Sequence, residues 1–189
     1  RVFGPLSFTT EPGRVLGVAG ANGSGKTTLV KVLAGLLRPS GGDVRLEDSA
    51  RTGTRISVRE AGGAIGWCAP DLSLYGELTP AENLEFFARV AGRPRTRAEI
   101  DGRLAIVGLD PKRLRAIRTR FLSTGQRQRL KLAYSVLSSP AVLLLDEPGS
   151  NLDEAGHRAV EAIVVEQRGR GSVVLATNDP AELALADER

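Results

Sequence analysis

Eight residues, Gly20-Ala21-Asn22-Gly23-Ser24-Gly25-Lys26-Thr27, constrain this 189-residue chain more than any other stretch. An apolar run, Val15 to Ala19, precedes them, and a segment of helical character, Thr28 to Leu37, follows, with the helix expected to begin near Lys26. Strand, glycine-rich loop and helix in that order are the context of a phosphate-binding loop. Gly20, Gly23 and Gly25 let the backbone curl until several N–H groups converge on one anion, and the helix start adds the positive end of its dipole. The candidate phosphate-binding residues are therefore Gly20, Ala21, Asn22, Gly23, Ser24, Gly25, Lys26, Thr27 and Thr28. Lys26 is placed to reach β- and γ-phosphates, and the Thr27 hydroxyl to ligate magnesium.

Phosphoryl transfer also needs a metal clamp and a group that positions the attacking water. Ala141 to Leu145 is an unbroken apolar run, as expected of a parallel strand buried on both faces, and it ends in Asp146-Glu147. Open α/β sheets place their ligands at such carboxyl ends. Asp146 is assigned to the magnesium shell and Glu147 to orienting or deprotonating water.

With these motifs in order, the chain resembles the nucleotide-binding domain of an ABC transporter over essentially its whole length. Leu122-Ser123-Thr124-Gly125-Gln126 resembles the family's signature motif, and Ser150-Asn151-Leu152-Asp153 resembles its D-loop. Independently of the resemblance, Ser123 is a good N-cap for a helix from Thr124 to Leu137, a second helix start suited to an anion. The resemblance implies a three-layer α/β sandwich of the P-loop NTPase type, with a mainly parallel sheet and a helical subdomain. It implies ATP and Mg²⁺ as ligands and a transmembrane permease as partner. A second copy of the domain would pack head to tail, with Ser123, Gly125 and Gln126 capping the partner's γ-phosphate and Asp153 linking the two sites. The stretches Leu74 to Thr79 and Glu147 to Asp153 look most like ATPases of export systems, including haem-export and ABC-2-type pumps.

The chain departs from the family pattern in four places. No glutamine follows the strand-like Ile65 to Ala69; Pro70 stands there, and Asp71 is the oxygen donor offered to magnesium instead. Asn178, after the apolar run Val173 to Ala176 and Thr177, occupies the place of the switch histidine. It is expected to sense a γ-phosphate or hold Glu147, but it cannot become a cation. Thr124 replaces the first glycine of the signature pair, and Phe3 lies too near the loop to be the aromatic residue that stacks on adenine. The absence of methionine and of that aromatic residue suggests a domain trimmed at both ends.

The expected organisation is a single domain, 1–189, whose core comprises 1–69 and 140–189 and whose helical subdomain spans 70–139. Two capping-box patterns mark helices in that subdomain, Thr79-Pro80-Ala81-Glu82 and Thr96-Arg97-Ala98-Glu99. No apolar run approaches the roughly 20 residues of a membrane span, so a membrane role would come through a partner. A net charge of +4 includes the cluster Lys112, Arg113, Arg115, Arg118 and Arg120, which lacks interleaved aromatics. It reads as a solvated or docking face, and no nucleic acid is expected. Cys68 is expected to be a buried small residue and His157 a surface residue.

These readings combine into ATP hydrolysis by a cytoplasmic subunit held at the inner membrane face by a permease. Two alternatives remain: an ATP-gated dimerising module with weak or no hydrolysis, and a soluble ABC ATPase without a transport role.

Overall fold

A computed structural model describes residues 2–47, 55–58, 60–61, 63–150 and 152–189. Four strands, β1 (Val15–Val18), β4 (Ile65–Cys68), β5 (Val142–Asp146) and β6 (Ser172–Ala176), form one parallel sheet in the order β1-β6-β5-β4. Between β1 and β4, strands β2 (Arg45–Glu47) and β3 (Arg55–Ser57) make a small antiparallel pair.

The apolar runs in the sequence become strands because both faces of the sheet are covered. Val30 of helix α1 (Lys26–Leu33) packs with Leu144, Val174 and Ala176 on one face. Leu143, Leu145, Val173 and Leu175 point to the opposite face, into a core shared with α4 (Thr124–Ser135) and α5 (Glu154–Arg168). Helix, sheet and helices thus form the three layers expected. Cys68 lies fully buried in that second core, where loss of hydration pushes its thiol up to about 12.

Helix α1 ends at Leu33, four residues short of the Leu37 expected from apolar spacing. Gly35 at φ +73° turns the chain, and the N–H groups of Leu36 and Leu37 close back onto the Lys31 carbonyl. Helix α4 likewise stops at Ser135 and not at Leu137, although its start at Ser123 is as expected.

Between β4 and β5 the chain is helical, with α2 (Pro80–Val90), α3 (Arg97–Ile106), a 3₁₀ turn (Thr119–Phe121) and α4. Both expected capping boxes are formed: Thr79 with Glu82 and Thr96 with Glu99. Each joins the N-cap hydroxyl and the N3 carboxylate to the other's backbone N–H, satisfying donors that the first turn leaves orphaned.

Asn83 on α2 is fully buried and holds this region together. Its amide donates to Tyr75 O at 2.9 Å and Thr119 Oγ1 at 3.0 Å, and its Oδ1 accepts from the Tyr75 N–H at 2.8 Å. Truncation strands those groups without water. The substitution Asn83→Ala is expected to lower stability by about 2–4 kcal/mol, measured by urea unfolding.

Candidate active site

The sheet delivers the site. The segments leaving the carboxyl ends of β1, β5 and β6 converge, because parallel strands present those ends on one edge. From β1 comes the loop 20–25. Its last residue, Gly25, is the N-cap of α1 at φ +102°, and a Cβ there would meet Val2 and Phe3. Only glycine fits both the backbone and the space.

Lys26 is the centre of the constellation and is only 8 % exposed. Its ammonium donates to Gly20 O at 2.6 Å and to Asn178 Oδ1 at 3.0 Å, with Ala21 O at 3.4 Å. Glu147 Oε1 stands 3.2 Å away as an ion pair. The amide of Asn178 also donates to Asn22 Oδ1 at 2.7 Å, so one residue after β6 ties Lys26 to the loop. Its backbone N–H points to Glu147 Oε2 at 3.5 Å, a distant contact.

Asp146, at the end of β5, has no exposed surface and neither carboxylate oxygen has a well-formed hydrogen bond among the described residues. Burial pushes its carboxyl above the usual range; the Thr27 hydroxyl beside it lowers it in part, and Glu147 raises it. A buried, unpartnered carboxylate beside a hydroxyl is a hard-oxygen donor set, and it suits Mg²⁺. Glu147 follows at φ +46°, a left-handed backbone that costs a non-glycine residue on the order of 1–3 kcal/mol. Its N–H bonds Ala176 O at 2.7 Å, which anchors the turn to β6.

Asp71, offered as a further metal ligand, is engaged elsewhere. Its Oδ2 accepts from Lys31 Nζ at 2.6 Å, and that bond holds its carboxyl below the ordinary value. A place in the metal shell would require this ion pair to open.

Around the signature stretch, Ser123 Oγ accepts from the Gln126 N–H at 3.1 Å, and Gln126 Oε1 accepts from the Ser123 N–H at 2.9 Å. Gly125 lies near Leu152, its Cβ position 3.7 Å from that side chain. Among the described residues, no hydrogen bond or ion pair joins Ser123, Gly125 or Gln126 to the loop 20–28. Asp153 caps α5 by accepting from the Gly156 N–H at 2.9 Å, while Asn151 of the D-loop stretch lies outside the described residues.

Asn22 and Gln128 were not among the residues given specific side-chain partners by sequence. Gln128 of α4 donates to Pro148 O at 3.1 Å, bracing the turn after Glu147. Its helical register beside Gly125 gave no signal of that contact. Of the basic cluster, Arg118 and Arg120 pair with Glu77, while Lys112 and Arg115 line a shallow pocket with Arg97, Asp101 and Pro111.

Parallel sheet, glycine-rich loop, buried lysine and paired carboxylates define a P-loop nucleoside-triphosphatase. A family model described as ABC transporter matches residues 3–150. The chain belongs to the ABC transporter family, as an ATP-binding cassette of the ATP-hydrolysing kind.

Among relatives, it is 38 % identical to the cytochrome c biogenesis ATP-binding export protein CcmA of Methylococcus capsulatus, over 95 % of this chain and 84 % of that protein. It is 31 % identical to the human phospholipid-transporting ATPase ABCA3 over 97 % of this chain, which spans only 11 % of ABCA3. A dimeric post-hydrolysis structure of the ATP-binding cassette MJ0796, bound to ADP and Pi, superposes with a TM-score of 0.84 at 22 % identity, covering 98 % of this chain and 84 % of that one. A putative ABC transporter ATP-binding protein from Pyrococcus furiosus gives 0.82 at 25 % identity, with 97 % and 86 % covered.

The buried charge on Asp146 carries a cost with a defined pH sign. Below about pH 4 the carboxyl is neutral in both folded and unfolded chains; the cost grows with pH and is complete above the raised folded value. In nucleotide-free protein, Asp146→Asn is expected to raise stability at pH 7, a gain that vanishes in acid. Chemical unfolding across pH 3.5–7.5 checks it; equal gains at both ends would exclude the buried charge as the cause.

Proposed function

We propose that Lys26, Thr27, Asp146, Glu147 and Asn178 bind and hydrolyse magnesium-ATP, and that the energy released drives a partner membrane permease. The observation that carries this reading is the junction of Lys26, Glu147 and Asn178 beside the unpartnered Asp146 carboxylate. In the resting site Glu147 and Asn178 neutralise or solvate the Lys26 ammonium. An entering triphosphate competes for that ammonium and releases both acceptors. Glu147 is then free to accept a proton from water, and Asn178 to donate its amide to a γ-phosphate oxygen.

Thr27 and Asp146 would hold Mg²⁺, which supplies charge neutralisation on the phosphates. The loop N–H groups and the α1 dipole supply the remaining positive field. Asp71 would reach this shell only after leaving Lys31.

Among the described residues, the second helix start, capped at Ser123, has no hydrogen bond or ion pair to the phosphate loop of its own chain. A second cassette facing it would bring Ser123, Gly125 and Gln126 to the other nucleotide, as a homodimer with Asp153 between the sites. Among the described residues, no helix is long and apolar enough to cross a membrane. A permease would anchor the cassette at the inner face. Similarity to CcmA, whose name describes an export protein, supports the export reading.

Steady-state turnover of magnesium-ATP at high protein concentration, wild type beside Glu147→Gln, tests the mechanism. Turnover is expected to fall about 10²–10⁴-fold in the variant, with nucleotide still bound. Equal turnover in both proteins would remove Glu147 from the mechanism, and binding without turnover in the wild type would favour the gated module.

A further inference from the structure

Behind the Glu147 turn lies a set of polar residues that nucleotide chemistry does not use. Glu182, on the short helix α6 (Pro180–Leu183), is 4 % exposed, and its Oε1 has no hydrogen-bond partner among the described residues. That oxygen sits against Gly149: a Cβ at 149 would collide with it, and would lie 2.9 Å from His157 Cε1 and 3.0 Å from His157 Nδ1. Gly149 belongs to the turn that starts at Glu147. The Ser150 N–H bonds Glu147 O at 3.2 Å, and the Leu152 N–H bonds Gly149 O at 3.0 Å. On its Gly149 side the turn therefore packs against a carboxyl from α6 and an imidazole from α5.

The same residues lead to Asn178. Thr177 is fully buried, and its hydroxyl lies beside the Glu182 carboxyl, lowering it in part. Thr177 Oγ1 also accepts from the Asp179 N–H at 3.0 Å. Asp179 caps α6 through the Ala181 N–H at 2.8 Å, and its Oδ2 stands 3.9 Å from His157 Nδ1. Thr177 and Asp179 flank Asn178 in the chain, so Glu182 joins the segment carrying Asn178 to the turn carrying Glu147.

Glu147 needs such support. A left-handed backbone at a glutamate persists only where the surroundings over-determine it. Burial pushes the Glu182 carboxyl toward its neutral form, with Asp179 and Glu147 adding to the shift and Thr177 and His157 opposing it. Each step toward the neutral form lessens the need for a counter-charge in this position.

Resting on the ATPase reading above, we propose that Glu182 is a positioning residue. With His157 packed beside it, Glu182 holds the Glu147 turn in register with Asn178.

The test compares wild type with Glu182→Ala, Glu182→Gln and Gly149→Ala in two measurements. The first is amide hydrogen exchange over 147–152 in nucleotide-free protein; the second is kcat and KM for magnesium-ATP. Glu182→Ala is expected to speed exchange of that turn about tenfold, with the helical segment 80–135 unchanged. Its kcat should fall on the order of tenfold to a hundredfold at an unchanged KM. Gly149→Ala, which displaces the carboxyl without removing it, should do the same. Glu182→Gln keeps the shape and a polar group beside Thr177 and should recover most of the loss.

Unchanged exchange in both Glu182→Ala and Gly149→Ala would overturn the proposal, as would a rise in KM at constant kcat. If exchange responds as expected but the wild type itself does not turn over ATP, the positioning role stands and the ATPase reading fails.

Discussion

A buried ammonium organises this molecule. Lys26 is nearly inaccessible, and desolvating its charge is tolerable only because Gly20 O, Asn178 Oδ1 and Glu147 surround it. These partners come from three separate parts of the chain, so the ion pair can form only when β1, β5 and β6 are in place. The same ammonium sits at the start of α1, where the local field is already positive. Surroundings that accept a cation there are poised to exchange their acceptors for a ligand of higher negative charge.

Parallel register makes that convergence reproducible. Val18 pairs with Ala176, and Asp146 pairs with Ala176 across the neighbouring ladder. One residue of slip in β5 would send Asp146 to the other face and reverse the alternation of Leu143, Leu144 and Leu145 between the two cores. Packing on both faces thus fixes the register that chemistry needs. The helices between β4 and β5 contribute more than length: Gln128 bonds the carbonyl of Pro148, so α4 bears on the same turn as α5 and α6.

Much of this was legible in the sequence because its signals are local. Glycine spacing before Lys26, the apolar run ending in Asp146, and the Thr79 and Thr96 capping boxes each state their structure within a few residues. The end of α1 was missed because apolar spacing continues through Leu36 and Leu37, whereas Gly35 at positive φ decides the turn. The ion pair of Asp71 with Lys31 and the junction of Asn178 with Asn22 span 40 and 156 residues, and no periodicity encodes them. Gly149 could be recognised in the sequence, but not the Glu182 and His157 side chains filling the space a Cβ would take.

Asparagine at 178 also alters what the site can feel. Its amide oxygen accepts from Lys26 and its amide nitrogen donates to Asn22, two roles that a single neutral group fills at every pH. An imidazole there would titrate near neutrality, and its protonated form would set a second cation beside the Lys26 ammonium. Asn178 removes that repulsion and leaves the raised carboxyls of Asp146 and Glu182 as proton-sensitive groups around the Glu147 turn. Both are shifted upward chiefly for the same reason, burial, yet they have different surroundings. Asp146 is buried beside the Thr27 hydroxyl, whereas Glu182 faces the backbone of Gly149 and the Thr177 hydroxyl. The same desolvation thus acts on one carboxyl beside the Thr27 hydroxyl and on another packed against backbone.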